Sequence, residues 1–212
     1  MNTRRLTSLL AAATLTGTAL VGATGATQAA SDSGPLGTTS LATVLAADGH
    51  GFDHNRRDFD LVDRFVSRVL AAKPHSDLAI LTHGRRHVTA FLPTDGAFRR
   101  AAVIIVGKRF TSERKVFRAL MKAGGVGGVE NVLLHHLVKG ETLTTHDLRA
   151  AAPTRLTTMQ GGTLRIRIRD DRIVVIDHDP ASPNAHVLPA LSNINNGNRQ
   201  IAHGITVVLS PA

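Results

Sequence analysis

The sequence has no cysteine, no tryptophan and no tyrosine, and seven phenylalanines make up its whole aromatic content. The missing cysteine excludes a disulfide scaffold, a thiolate metal site, a thiol nucleophile and a lipid-modified N-terminal cysteine. The missing tryptophan and tyrosine remove most of the platform on which single-stranded nucleic acid stacks, so nucleic acid is not an expected partner. Acids are also in deficit, with 16 Asp+Glu against 25 Lys+Arg and a net charge of +9. What remains is a chain of 212 residues that is 42% apolar. That is too apolar for a disordered chain and long enough to close one core in one domain. No internal repeat is evident, so one copy of that domain is expected.

Residues 1–30 carry two basic side chains, Arg4 and Arg5, and no acid. Residues 6–23 are built mainly from Leu, Ala and Val diluted by Thr and Gly, and residues 25–30 are small apart from Gln28. This is the layout of a secretory signal peptide cleaved after Ala29 or Ala30, with a retained membrane anchor as the alternative. Cleavage would leave a net charge of about +7. It would also place the protein outside the cell, secreted or associated with the cell surface. No later segment is long and apolar enough to span a bilayer.

Residues 31–40 are rich in Ser, Gly and Thr and read as a flexible leader, with a single domain over 41–211. Residues 41–47 form a short apolar helical turn. Phe59, Val62, Phe65, Val66, Val69 and Leu70 recur at helical spacing, with Asp58 or Asp60 available as a cap and Pro74 as a stop. Residues 78–81 and 88–92 read as two strands around the turn at 83–86. Helices follow near 95–98, 112–123 and 147–152, the second ended by Gly124-Gly125 in a glycine-rich loop at 124–128, after which 129–134 reads as a short helical or extended run. Beyond Pro153 the pattern shortens to strands near 156–159, 163–168, 173–176, 186–191 and 205–209, separated by Gly-Gly, Asp-Asp and Asn-rich turns. Helices first and strands second indicate an α+β domain with a mainly antiparallel sheet.

Enzyme constellations are weak. The sequence contains no Gly-x-Ser-x-Gly elbow, no phosphate loop and no His-Glu-x-x-His, so no catalytic residue and no cofactor is expected. The pairs His50/His54 and His83/His87 have a metal-compatible i, i+4 spacing, but each encloses a glycine and lacks a third ligand, so loop histidines are expected rather than a metal site, with a metal-dependent extracellular enzyme as the lesser alternative. Asp53, Asp58, Asp60 and Asp63 lie among Arg56, Arg57 and Arg64, and read as a solvated, salt-bridged face. In Leu164-Arg165-Ile166-Arg167-Ile168-Arg169 the alternation turns the aliphatic residues inward on a strand. Arg165, Arg167 and Arg169 then form a row outside, about 6–7 Å apart. Such a row suits an anionic polymer or lipid, or simply a solvated face. His135-His136 sits in an apolar run, where a strand would bury one ring and point the other to the opposite face as a candidate partner contact.

Three ordered motifs resemble the fasciclin (FAS1) domain. Phe91-Leu92-Pro93-Thr94-Asp95-Gly96-Ala97-Phe98 resembles the family's Phe-x-Pro-Thr-Asn/Asp-x-Ala-Phe signature. Residues 133–141 resemble its central Leu-x-Tyr-His-Val-x-x-Gly segment, followed by a Gly161-Gly162 strand pair. Residues 195–211, closing on Pro211, resemble the Asn-Gly-x-Ile-His end signature, with His203 nearest the family's histidine. The resemblance implies a wedge-shaped β-sandwich of two sheets with helices along one edge. On this view Phe91, Pro93, Thr94, Asp95, Phe98, Gly140, Gly161 and Pro211 are chiefly structural. Pro93 ends a strand, Thr94 or Asp95 caps the next helix, and the glycines take turn conformations. The resemblance also implies a secreted bacterial module that binds a protein or glycan of the envelope or matrix in adhesion. His135 stands where the family has tyrosine, so the integrin binding linked to that segment in animal members is not carried over.

Overall fold

The computed structural model describes residues 35–47, 49, 51–180 and 182–211. The expected signal peptide, residues 1–30, lies outside the described residues, as does His50. Among the described residues there are five α-helices, α1 (Leu41–Ala46), α2 (Asp60–Ala72), α3 (Asp95–Val106), α4 (Glu113–His135) and α5 (Thr145–Ala151). Seven strands accompany them, β1 (Val88–Pro93), β2 (Leu137–Lys139), β3 (Thr154–Thr157), β4 (Thr163–Arg169), β5 (Arg172–Ile176), β6 (Ala185–His186) and β7 (Gln200–Ile205).

The strands form a three-stranded sheet in the order β2-β1-β7 and a four-stranded antiparallel sheet in the order β3-β4-β5-β6. In the first, β1 runs antiparallel to β2 and parallel to β7, from Val88 opposite Gln200 to Pro93 opposite Ile205. Every residue of β1 and β7 is buried, because this sheet is covered on both faces. Side chains alternate along a strand. Val88, Ala90, Leu92 and Ala202 therefore join the helices in one apolar cluster, with Phe65, Leu78 and Val116. Phe91 and Ile205 turn the other way and pack with Leu164, Ile166 and Val175 of the second sheet. The α+β class and the two-sheet architecture with helices packed against it are as the sequence indicates.

Local chemistry explains several elements. The β4–β5 hairpin turns on Asp170 and Asp171, both at positive φ (48° and 57°), the backbone of the tight hairpin turn that aspartate tolerates. Thr144 caps α5 in a reciprocal box, its hydroxyl accepting from Asp147 N–H while the Asp147 carboxylate accepts from Thr144 N–H. Thr144→Ala should therefore cost about 1 kcal/mol, read as a melting temperature lower by about 2–4 °C.

Four expectations are corrected. Residues 78–81 belong to a 3-10 turn, Asp77–Thr82, opened by Ser76 Oγ accepting from Leu78 N–H, so β1 has no hairpin partner there. Gly125 (φ 61°, ψ −177°) breaks the helix as expected, but residues 126–128, read as loop, are already helical and lead straight into the helical run to His135. The last strand is residues 200–205 rather than 205–209, because pairing with β1 fixes its register and hides the polar Gln200 and His203 among internal partners. Residues 37–40, read as flexible leader, are tied down. Gly37 bridges Asn198, Thr39 N–H donates to Asn198 Oδ1, and Asn195 Nδ2 donates to Thr39 O.

Candidate functional site

The arginine row lies on the outer face of the four-stranded sheet. Leu164 and Ile166 are fully buried inside, Arg165 is half-buried, and Arg167 and Arg169 are exposed. Ile168, expected inside, is 37% exposed because the hairpin runs past the core. The strand register adds two members. Arg155 of β3 sits directly opposite Arg165, and Arg172 of β5 directly opposite Arg169. Residues paired across antiparallel strands share a face, so five guanidinium groups occupy one surface about 14 Å long. Among the described residues none of the five is ion-paired. The turn carboxylate of Asp171 is held instead by Arg149 at 2.7 Å.

Sequence reasoning missed Arg155 and Arg172. Each lies in a different strand from the row, and only the pairing brings them to it. Like charges placed directly opposite across strands cost about 0.2–1 kcal/mol per pair. Two such pairs bracket the row.

His135 and His136, the candidate partner contacts of the central segment, are enclosed in the domain. They fall at the end of α4 rather than in a strand, and both are buried, at 2% and 1% exposure. His136 Nδ1 lies 2.7 Å from Val132 O, and Leu209 N–H donates to Nε2 at 2.9 Å. The carbonyl can only accept and the amide can only donate, so the ring is neutral with its proton on Nδ1. Burial accordingly pushes its pKa down to about 4, and burial lowers that of His135 as well. His203 is equally enclosed. It is bonded to Leu143 O through Nε2 and accepts from Asn193 N–H, and burial lowers its pKa. All three rings hold the fold together from inside.

The acids near the start of α2 are not a solvated face. Asp58, Asp60 and Asp63 are 7%, 8% and 8% exposed, and Asp58 and Asp60 lie near Asp95 and Glu113, both fully buried at the starts of α3 and α4. Burial first, then neighbouring carboxylates, pushes Asp58 up to about 7. Burial pushes Asp95 up to about 8 despite the hydrogen bond from Leu61 N–H, and the carboxylates of Asp58, Glu113 and Asp60 add to it. Elsewhere, Ile104 and Ile105 are exposed (73% and 60%) beside an apolar cavity of about 390 Å³ between α3, α4 and residues 207–210.

The motif residues occupy structural positions. Thr94 caps α3 by accepting from Ala97 N–H, and Asp95 reaches across to accept from Leu61 N–H at the start of α2. Phe98 packs on Phe65 with centroids 5.1 Å apart, and Phe91 lies on His203 at 5.9 Å. Gly140 (φ 94°) and Gly161 (φ 100°) take backbone that other residues rarely adopt, and Pro211 is half-buried at the end of the described chain. A fasciclin domain model matches residues 62–211. The chain belongs to the fasciclin domain family.

A solved FAS1 domain pair from the insect cell adhesion molecule fasciclin I is similar to this fasciclin domain. The TM-score is 0.53 at 18% identity, over 82% of this chain and 51% of that one. The chain thus spans about half the length of that structure, and the likeness is one of fold. No curated protein matches the sequence. Among the described residues no helix is long and apolar enough to cross a membrane.

Proposed function

We propose that this fasciclin domain is an extracellular binding module without catalytic activity, exported by its N-terminal segment, that associates with an anionic polymer of the cell envelope through the outer face of its four-stranded sheet. The observation that carries this reading is the set of five arginines on one face, two pairs of them directly opposed, with no acid paired to any of them among the described residues. A face that needed solubility alone would interleave signs, whereas a face that receives a polyanion gains from each opposed charge. Guanidinium groups suit carboxylate and phosphate oxygens alike, so an acidic polysaccharide or a phosphate-linked wall polymer fits. Family membership supports adhesion as the setting, with a protein or glycan of the envelope or matrix as the broader class of partner.

The test is retention on immobilised acidic polysaccharide and on a phosphate-linked wall polymer across a salt gradient. The triple variant Arg165→Glu, Arg167→Glu, Arg169→Glu should bind about a hundredfold more weakly at low salt, at roughly 1 kcal/mol per basic contact. Its salt dependence should flatten. Its melting temperature should stay within about 2 °C of wild type, since these side chains lie outside the core. Equal retention of variant and wild type on both polymers would reject the proposal.

A further inference from the structure

We infer that the acidic junction where α2, α3 and α4 begin is a binding site for an oxygen-preferring divalent cation, calcium foremost. The inference is independent of the arginine face. The helices cover one side of the three-stranded sheet, and the four-stranded sheet covers the other.

The donors come from three places in the chain. Asp53, Asp58 and Asp60 lie on the segment entering α2, Asp95 is the first residue of α3, and Glu113 is the first residue of α4. One oxygen from each of Asp53, Asp58 and Asp60 falls within 4.8 Å of the other two, and Asp60, Asp95 and Glu113 meet the same condition. Calcium binds oxygen at about 2.3–2.6 Å, so oxygens on opposite sides of the ion are about 4.6–5.2 Å apart. Each group therefore has the oxygen spacing that a calcium ion can bridge, and Asp60 belongs to both.

A cluster of acids alone would not point to an ion. The orphaned atoms do. Asp58 is 7% exposed, and Asp95 and Glu113 are fully buried, yet Asp58 Oδ1, Asp95 Oδ2 and Glu113 Oε2 have no hydrogen-bond partner. Native proteins rarely leave buried carboxylate oxygens unpaired, because desolvating them is strongly unfavourable. Arg99 reaches Glu113 Oε1 at 2.6 Å, and backbone N–H groups of Leu61, Asp53 and Asn55 donate to Asp95 Oδ1, Asp60 Oδ2 and Asp53 Oδ1. These contacts leave the three orphaned oxygens unpaired. All the donors are carboxylates and none is histidine or cysteine, which selects calcium or magnesium over zinc or copper. Donors contributed by an irregular loop and three separate helices suit the flexible coordination of calcium better than the strict octahedron of magnesium.

The experiment compares thermal melting and calorimetric titration of the full chain in chelator, in about 10 mM CaCl2 and in NaCl of equal ionic strength. Sites of extracellular modules bind calcium in the range of about 0.1–1 mM. Calcium should therefore raise the melting temperature by about 3–10 °C and bind at one ion per chain, with a smaller effect from magnesium. Asp58→Asn should abolish the calcium-dependent rise while melting no lower than wild type in chelator, because it removes an uncompensated buried charge. Asp53→Asn, at an exposed position, should weaken calcium binding at least tenfold, and Asp171→Asn on the far hairpin should leave it unchanged. No rise in the wild type, or a rise that both Asp58→Asn and Asp53→Asn retain, would overturn the inference.

Discussion

Replacing His136 with alanine should lower the melting temperature by about 10 °C. The ring is enclosed at the end of α4, where it ties that helix to the closing segment of the chain. Its Nδ1–H donates to Val132 O, one turn back, and its Nε2 accepts from Leu209 N–H in the closing segment. Ser210 N–H beside it depends on another side chain, Asp177. Alanine leaves the Leu209 amide buried without an acceptor and opens a void where the ring stood. Together these changes cost about 3–4 kcal/mol, and a domain of this size loses about 2–4 °C per kcal/mol.

The same ring makes stability depend on pH. Its folded pKa, about 4, lies below the value of 6.5 expected when unfolded. Its contribution is therefore complete above pH 6.5 and is lost as pH falls from there towards 4, to a total of about 3 kcal/mol. Asp58 and Asp95 act in the opposite sense. Their folded values are raised from 3.8 to about 7 and 8, so the stability linked to them is complete below pH 3.8 and is lost as pH rises from there to those values. The His136 contribution is thus read as a difference in chelator between wild type and His136→Gln, whose amide can donate to Val132 O and accept from Leu209 N–H without titrating. Denaturant unfolding from pH 4 to 7 should show the gap closing or reversing in favour of the glutamine variant at the acid end. Parallel curves would reject this role.

Phe91→Ala should cost about 3–5 kcal/mol, with a melting temperature about 10 °C lower. Phe91 has no exposed surface and points from the middle of β1 into the space between the sheets, against Leu164, Ile166, Val175 and the His203 ring. That space is walled by strands on both sides, so little backbone can move in to fill the cavity, which places the cost in the upper part of the usual range. Calorimetry on the purified variant measures it directly. A loss below about 1 kcal/mol would mean that the two sheets close over the missing ring.

Much of this was legible in the chain itself. The helical spacing from Phe59 to Leu70 gave α2, and the Arg–Ile alternation gave β4 with its outward arginines. The Asp170-Asp171 pair gave the hairpin turn, because each signal rests on neighbours within one or two turns of the chain. The misreadings share a cause as well. Residues 78–81 are apolar enough for a strand but are covered by helices, and a short apolar run carries no mark of which element will cover it. Gln200 and His203 look unsuited to a central strand. Gln200 works there because its amide accepts from Leu41 N–H and donates to Ile80 O and His83 O, groups more than a hundred residues away. No local pattern announces partners at that distance.

The sequence by itself determined the fasciclin family, the α+β class and a row of three outward arginines, since motifs, periodicity and turn residues are properties of adjacent positions. Only the tertiary structure decided that Arg155 and Arg172 complete that row, that both histidines of the central pair are buried, and that Asp53, Asp58 and Asp60 converge with Asp95 and Glu113. Strand register and helix packing set these juxtapositions. Both are fixed by closing the core over long stretches of chain, where neighbours in space are strangers in sequence.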